Sequence, residues 1–279
     1  MASTVSFTVD SPQGLRTVEV SYERTGVGAP LVLLHGIGHH RQAWDPVLRI
    51  LAAERDVIAV DLPGFGASPA LPHGLAHDLR TMVPVLGSFF EALGVVRPHV
   101  AGNSLGGLLA LELGREGLAR SVTALSPAGF WTPSERRYAF GVLRAMRGAA
   151  LAMPMPLIER LSRSSPGRAA LTSTIYARPG RRSPAAVVSE TVALREATGF
   201  RQTLEAGSGV TFADDVPGVP GVPVSIAWGS KDRLLPRRQG VRAGRAIPRA
   251  RLVRLPGCGH VPMNDDPAAV ARVVLDTSR

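Results

Sequence analysis

The feature that most constrains this chain is an alternation of short apolar runs with segments of helical spacing. Residues 31–34 and 57–60 are uninterrupted apolar runs, typical of strands buried on both faces of a parallel sheet. Residues 42–53, between them, have helical spacing, and residues 75–93 predict a further helix, which Pro84 should kink or restart. The alternation predicts an α/β fold, with helices on both faces of a mostly parallel sheet.

The chain departs from this alternation in two places. Residues 5–9 and 17–22 alternate in polarity around a turn, which predicts an antiparallel hairpin at the start of the sheet. After Pro127 the strand pattern stops, and it resumes only at residues 224–228. We therefore expect about eight strands, with a helical cap inserted after the sixth. The predicted domains are a core of residues 1–130 and 213–279 and a cap of residues 131–212.

Charge is distributed unevenly along the chain, and its distribution argues against nucleic-acid binding. The formal net charge is +10, but the first 130 residues have a net charge of −2 and the predicted cap has +7. No basic run is interleaved with the aromatic side chains on which bases would stack. We expect a small-molecule substrate and no nucleic-acid partner.

Several further features are expected to be absent. Cys258 is the single cysteine, so neither an internal disulfide nor a cysteine-based metal cluster can form. No spacing of histidines and carboxylates predicts a metal site, and no dinucleotide fingerprint is present. The N-terminus lacks a signal-peptide pattern, and no apolar run is long enough to span a bilayer. The sequence predicts a cytoplasmic protein without cofactor, metal or stable membrane insertion, and it leaves the oligomeric state open.

The strongest chemical motif is the pentapeptide Gly102-Asn103-Ser104-Leu105-Gly106, a G-x-S-x-G pattern between a short apolar run and a helical segment. At such a turn the serine occupies a strained backbone conformation, and side chains two positions before and after it would collide with the turn. Ser104 is therefore the predicted nucleophile.

A serine hydroxyl needs a base to take its proton and an acid to orient that base. His260 is the histidine that follows the last predicted strand, in a loop of small residues that can bring the ring over the sheet. Asp232 follows the preceding strand, whereas the loop after the sixth strand offers only Ser126. We predict that Ser104, Asp232 and His260 are the nucleophile, the acid and the base.

Acyl transfer also requires donors for the negative charge that develops on the carbonyl oxygen. The N–H of Leu105 suits this role because it lies directly after the nucleophile at the start of a helix. In the loop after the third predicted strand, Gly36 and Gly38 leave the amide of Ile37 free to face the site. Ile37 and Leu105 are the predicted oxyanion hole, and Gly36 is expected to border the substrate.

Four separate motifs resemble those of the α/β-hydrolase superfamily, and they occur in the same order. The motifs are His35-Gly36-Ile37-Gly38, Asp61-Leu62-Pro63-Gly64-Phe65-Gly66-Ala67-Ser68, the Ser104 pentapeptide, and Gly229 to Asp232 with Gly259-His260. The resemblance covers residues 20–130 and 213–279. It implies the α/β-hydrolase fold, with the second motif as a structural turn near the site. It disfavours dehalogenases and epoxide hydrolases, which have an aspartate at the position of Ser104.

The resemblance leaves two reactions open. With Asn103 directly before the nucleophile, the Ser104 turn resembles that of the meta-cleavage C–C hydrolases. Those enzymes cut vinylogous diketones and use an arginine in the cap. However, Val261 stands where those enzymes typically have tryptophan, and Asn103 also occurs in esterase-like members. We expect hydrolysis of an ester or related acyl bond of a small, largely apolar substrate, with Asn103 and Val261 beside it. C–C cleavage is the alternative, and non-catalytic ligand binding on the same fold is a third interpretation.

The predicted cap supplies the remaining candidates. Residues 138–161 are apolar on most sides, and Met146 and Met153 are expected to line a pocket above Ser104, although such residues also pack caps onto cores. Among the arginines of the cap, Arg195 and Arg201 adjoin apolar residues that could bury their stems. If a cap arginine points inward and binds a substrate carboxylate through paired hydrogen bonds, we expect it to be one of these two. The alternative is that all of the cap arginines are solvated.

Overall fold

The structure is a computed structural model that describes residues 2–212 and 221–279, so the predicted core boundary at residue 213 lies outside the described residues. The strands are β1 (Ala2–Val9), β2 (Arg16–Thr25), β3 (Pro30–Leu34), β4 (Asp56–Val60), β5 (His99–Asn103), β6 (Ser121–Leu125), β7 (Val224–Gly229) and β8 (Arg251–Leu255). They form one sheet in the order β1-β2-β4-β3-β5-β6-β7-β8.

The sheet combines an antiparallel edge with a parallel body. β1 pairs antiparallel with β2, and β2 pairs antiparallel with β4, whereas the other neighbouring strands are parallel. The strands from β3 to β7 are buried along almost their whole length, as the apolar runs predict. β1, at the edge, is mostly exposed. The expectation of eight mostly parallel strands is confirmed.

Helices cover both faces of this sheet. They are α1 (Asp45–Ala52), α2 (Leu79–Ala92), α3 (Leu105–Arg115), α4 (Pro133–Ala152), α5 (Met155–Ser162), α6 (Ser165–Thr172), α7 (Pro184–Glu196), α8 (Phe200–Ala206), α9 (Arg238–Ala246), α10 (Pro262–Asp265) and α11 (Pro267–Thr277). Leu86, Leu109 and Ala243 belong to a core cluster on which α2, α3 and α9 pack. Leu51 and Val274 belong to a second cluster, which holds α1 and α11. The two clusters are the two hydrophobic layers that a sheet covered on both faces requires.

Helix α2 differs from the prediction. It begins at Leu79, where the Asp78 side chain accepts a hydrogen bond from the N–H of Thr81, rather than at residue 75. It then continues through Pro84 to Ala92 without restarting. The reason is packing: half of the residues of this helix are buried in the core while Pro84 is exposed, and this burial outweighs the hydrogen bond that a proline removes.

Five helices, α4 to α8, lie between β6 and β7, and no strand occurs in the described part of this segment. α4 starts with a capping box in which Thr132 accepts from the N–H of Glu135 and the Glu135 carboxylate accepts from the N–H of Thr132. The helical insertion after the sixth strand is confirmed, whereas the domain boundaries remain a prediction. None of the helices in residues 2–212 and 221–279 is both long and apolar enough to cross a membrane.

A buried carboxylate joins this helical cap to the loop that carries His260. Asp265, in α10, accepts hydrogen bonds from the N–H groups of Ala177 and Arg178 at 3.0 and 2.7 Å. It also accepts one from the N–H of Gly259 at 2.7 Å. Because the fully buried carboxylate of Asp265 accepts from the backbone of both segments, it fixes the cap against the loop after β8.

Candidate active site

Ser104 lies at the turn between β5 and α3. Its backbone has φ 57° and ψ −115°, a region that residues other than glycine rarely occupy. A Cβ atom at Gly102 would lie 2.0 Å from the carbonyl oxygen of Gly106, and one at Gly106 would lie 2.3 Å from that of Leu34. Both glycines are therefore required by close backbone approach, and the turn they allow places Ser104 at the border of two cavities.

His260 and Asp232 meet at the same edge of the sheet. Nδ1 of His260 lies 2.9 Å from Oδ2 of Asp232, and both side chains are buried. The other oxygen, Oδ1 of Asp232, accepts hydrogen bonds from the N–H groups of Leu234 and Leu235 at 3.0 and 2.8 Å. Asp232 is thus a fixed acceptor that orients the imidazole. The Nε2 atom of His260 is left for another partner, and His260 borders the larger of the two cavities at Ser104.

Asn103 connects the nucleophile turn to the histidine loop. Its Nδ2 donates to the carbonyl oxygen of Leu125 at 3.0 Å and to that of His260 at 2.9 Å. The side chain borders the larger cavity, as predicted for a substrate contact, but it is almost fully buried. Asn103 therefore also positions the backbone of His260. This second role depends on a contact between distant parts of the chain, so no local sequence signal indicates it.

His35 fixes the backbone of the loop after β3. Leu62 donates its N–H to Nε2 of His35 at 3.0 Å, so the proton of the neutral ring lies on Nδ1, which is 2.7 Å from the carbonyl oxygen of Gly36. Burial lowers the pKa of His35 and favours this neutral form. Because C=O and N–H point in opposite directions in a trans peptide, the bond to Gly36 turns the N–H of Ile37 away from His35. Sequence reasoning missed this role because only the fold brings Leu62 beside the ring.

The two cavities that meet at Ser104 differ in size and character. The larger has a volume of about 340 Å³ and is bordered by His260 as well as Ser104. The smaller has a volume of about 70 Å³, and its wall is almost entirely apolar, with Leu105 and Phe140 among its residues. Ile37 borders both. The two predicted oxyanion donors thus lie at the junction where Ser104 stands.

Most of the predicted substrate contacts border the larger cavity. They are Gly36, Asn103, Met146, Met153 and Val261. The two cap arginines do not, and the expectation that one of them points inward is wrong. Arg195 donates to the carbonyl oxygens of Ala150 and Met153 at 2.7 and 2.9 Å, because the cap backbone offers it buried acceptors. The Arg201 side chain is 81% exposed, with its Nε 4.0 Å from Glu205.

Two polar side chains that border the larger cavity, His39 and Glu190, are joined to the buried side chains of Tyr176 and Arg182 behind them. We call these four residues the polar wall. Tyr176 donates to Oε1 of Glu190 at 2.7 Å, and Nε2 of His39 lies 3.2 Å from the Tyr176 hydroxyl oxygen. Arg182 contacts the same carboxylate oxygen, and its guanidinium carbon lies 4.4 Å from the centre of the Tyr176 ring. His39 and Glu190 border the cavity.

The histidine of the polar wall is neutral. Burial, together with the nearby His40 and Arg182, lowers the pKa of His39 well below its ordinary value. Sequence reasoning missed the polar wall because its members come from the loop after β3 and from three separate parts of the cap. Its sequence signals are the position of His39 directly after Gly38 and the abundance of cap arginines, of which Arg182 is the one that pairs with a carboxylate at the cavity.

Other chemistry has little support in the part of the chain that the structure describes. There, no group of three or more His, Cys, Asp or Glu side chains could hold a metal ion. Cys258 is close in sequence to His260, but burial raises the pKa of its thiol to about 12, which keeps it protonated. The candidate site therefore rests on Ser104 and its neighbours.

A mostly parallel sheet covered by helices on both faces, with a helical insertion after its sixth strand, defines the class of fold, and comparisons with known proteins identify the family. The chain belongs to the alpha/beta hydrolase family, whose model matches residues 31–273. The predicted fold and the resemblance on which it rests are confirmed.

Individual relatives cover most of the chain. It is 26% identical to the 2-hydroxy-6-oxo-6-phenylhexa-2,4-dienoate hydrolase of Burkholderia cepacia, over 99% of its own length and 96% of that protein. It is 28% identical to an uncharacterised protein of Mycobacterium tuberculosis, over 92% and 78% of the two lengths. Among solved structures, a thermophilic esterase from Thermogutta terrifontis matches with a TM-score of 0.77 at 21% identity, covering 99% of this chain and 100% of that one. The last likeness shows the shared fold.

Proposed function

We propose that the protein is a serine hydrolase that cleaves an ester or related acyl bond of a small, largely apolar substrate. The observation that carries this proposal is the convergence of three features at one cavity. Ser104 occupies a strained turn, His260 borders the same cavity, and Asp232 holds His260 through Nδ1. Backbone strain of this kind persists where the surrounding structure holds it in place, and it clusters at active sites.

In the first half of the proposed reaction, Oγ of Ser104 attacks the acyl carbon while Nε2 of His260 takes its proton. The N–H groups of Ile37 and Leu105 stabilise the oxyanion that forms. Its collapse breaks the bond to the leaving alcohol oxygen, which receives the proton from His260. In the second half, His260 takes a proton from water, whose oxygen attacks the acyl carbon. The bond from that carbon to Oγ of Ser104 then breaks, Oγ receives the proton back from His260, and the acid is released. Asp232 stabilises the imidazolium in both halves.

The two cavities suggest how the substrate is oriented at Ser104. His260 must reach the leaving oxygen and it borders the larger cavity, so we place the alcohol portion there and the acyl portion in the smaller cavity. An apolar cavity of about 150 Å³ holds benzene. The smaller cavity, at about 70 Å³, therefore suits a short aliphatic acyl group.

C–C cleavage is the second candidate, because the chain matches a dienoate hydrolase over nearly its whole length. In that reaction His260 would help to tautomerise the substrate before the bond breaks. Two observations favour the ester. The smaller cavity has less volume than benzene needs, and the larger cavity is bordered by the carboxylate of Glu190 rather than by a free arginine. A non-catalytic binding protein is disfavoured because Ser104, His260 and Asp232 are retained together.

Active-site labelling tests whether the protein is a serine hydrolase at all. A fluorophosphonate should label the folded wild-type protein at Ser104 and should fail to label Ser104→Ala. We expect this variant to lose about 10⁴-fold or more in kcat, as in other enzymes of this mechanism. Absence of labelling in folded wild-type protein would overturn the proposal.

A substrate panel then separates the two reactions. We expect p-nitrophenyl esters with acyl chains of about two to four carbons to give the highest kcat/KM, because of the small volume of the apolar cavity. A vinylogous diketone of the meta-cleavage type should be cleaved far more slowly. Faster cleavage of the diketone than of every ester would replace the ester proposal with the C–C alternative.

A further inference from the structure

Of the polar wall, His39 and Glu190 border the larger cavity, and the donors of His39 and Tyr176 are used within the wall. The single hydroxyl proton of Tyr176 goes to Oε1 of Glu190, so the Tyr176 oxygen must accept from His39, whose proton is then on Nε2. Nδ1 of the neutral His39 ring consequently has a lone pair. This atom is buried, and no hydrogen-bond partner for it occurs in residues 2–212 and 221–279.

Glu190 leaves a second acceptor at the same place. Tyr176 and Arg182 both bind Oε1 of its carboxylate, so Oε2 is the oxygen that these two donors leave open. The side chain is only 10% exposed and borders the cavity together with His39. Arg182 borders a separate cavity, so its charge offsets that of Glu190 without lining the catalytic space. The Nε–H of Arg182 also lacks a partner among the described residues, but it belongs to a side chain that does not border the larger cavity. On His39 and Glu190, which do border it, the unfilled positions are acceptors, and a ligand group that satisfies them must be a donor.

We propose that His39 and Glu190 select esters whose alcohol portion carries a free hydroxyl group, as in an ester of glycerol. This inference rests on the proposed function, since His260 is what places the alcohol portion in the larger cavity. A hydroxyl can donate to either acceptor, and the oxygen of that hydroxyl keeps its own lone pairs for water. A carboxylate in the alcohol portion would be repelled by Glu190. A saturated alkyl alcohol would bury both acceptors without a partner.

A pair of esters with the same carbon skeleton tests the selection without any variant. Propyl butyrate and 2,3-dihydroxypropyl butyrate share their acyl group and chain length and differ only in the two hydroxyls. We expect the dihydroxypropyl ester to have the higher kcat/KM, by about tenfold. Its hydroxyl can donate a hydrogen bond to the charged carboxylate of Glu190, and such bonds are stronger than those between neutral groups. Equal values, or a preference for the propyl ester, would overturn the inference. A preference for butyrylcholine over both esters would also overturn it, because the selected group would then be a cation.

Two variants assign the selection to the polar wall, with the ratio of kcat/KM for the two esters as the readout. Glu190→Gln should lower this ratio by about tenfold, since the charged acceptor is lost. Tyr176→Phe should lower it as well, because the fixed tautomer of His39 is released, and it serves if Glu190→Gln does not fold. Glu196→Gln is the matched control, because Glu196 lies exposed on the same helix α7, and its ratio should equal that of the wild type.

The outcomes distinguish a failure of the proposed hydrolase activity from a failure of the proposed selectivity. Failure of the wild type to hydrolyse either ester or to react with the fluorophosphonate would count against the serine hydrolase. Hydrolysis with a ratio that neither Glu190→Gln nor Tyr176→Phe changes would leave the hydrolase intact and overturn the selection by the polar wall.

Discussion

The core and the cap build their sides of the cavity at Ser104 in different ways. On the core side, Ser104, Asp232 and His260 follow three strands of one sheet, in loops held by close backbone approach and by backbone N–H groups. On the cap side, the cavity is bordered by side chains of helices, such as Met146 on α4 and Glu190 on α7. The proposed chemistry thus lies where the backbone has least freedom. The proposed selectivity lies where side chains can change without disturbing the nucleophile.

The largest expected effect concerns the backbone of the core side. In Gly106→Ala, the new Cβ would lie 2.3 Å from the carbonyl oxygen of Leu34, which belongs to a central strand. We expect the free energy of unfolding to fall by more than about 4 kcal/mol, or the chain not to fold at all. Chemical denaturation measures this change.

Gly148→Ala is the matched control on the cap side. Gly148 lies in α4, and a Cβ there meets nothing within 4 Å. This substitution should raise the free energy of unfolding by about 0.5–1 kcal/mol, because alanine loses less backbone entropy in a helix. Similar effects of the two substitutions would contradict the contrast between the rigid core side and the tolerant cap side.

The junction of the two sides is tested by Asp265→Ala. The substitution leaves the N–H groups of Ala177, Arg178 and Gly259 without their buried acceptor, so we expect a loss of about 3–5 kcal/mol in the free energy of unfolding. Activity should also fall, because Gly259 adjoins His260. The neighbouring Asp266→Ala removes only the cap of α11 and should cost about 1 kcal/mol without lowering kcat/KM. Equal losses of activity in the two variants would count against a junction at Asp265.

A third test measures how the stability of the protein depends on pH through the histidines beside the cap. His40, which stacks on His39, has its pKa lowered to about 4, mainly by burial. The unfolded chain takes up this proton near pH 6.5 and the folded one only near pH 4, so stability is full above pH 6.5 and falls as the pH decreases between these values. The loss attributable to His40 is on the order of 3 kcal/mol. Thermal unfolding at several pH values should show a shallower decrease for His40→Gln, and a slope equal to that of the wild type would contradict this.

The smallest effects distinguish the two cap arginines. Arg195→Ala removes two hydrogen bonds between α7 and the end of α4 and should cost about 1–2 kcal/mol. Arg201→Ala removes an exposed contact and should change stability by less than about 0.5 kcal/mol. Neither should change the ratio of activities on acidic and neutral esters. A selective loss on acidic esters in Arg195→Ala would restore the inward-facing arginine that the structure contradicts.

Much of the core could be predicted from the sequence because its signals are local. The buried runs that became β3 and β4 are continuous in the chain, and the strand pattern that resumes at residues 224–228 became β7 (Val224–Gly229). The residues Ser104, Asp232 and His260 follow strands whose carboxyl ends meet at one edge of a parallel sheet. Their convergence therefore follows from topology alone, although their catalytic roles stay a proposal.

The sequence by itself determined the fold class, the helical insertion and the turn at Ser104, since each depends on neighbours within a few residues. Only the tertiary structure decided which polar side chains of the cap border the cavity, whereas Met146 and Met153 were expected there from the sequence. Twelve cap arginines look alike in the sequence. Some are solvated, some bind backbone carbonyls, and one pairs with Glu190. The role of each depends on how the helices rotate and dock against the sheet. Helix rotation is set by long-range packing, and local spacing cannot specify it.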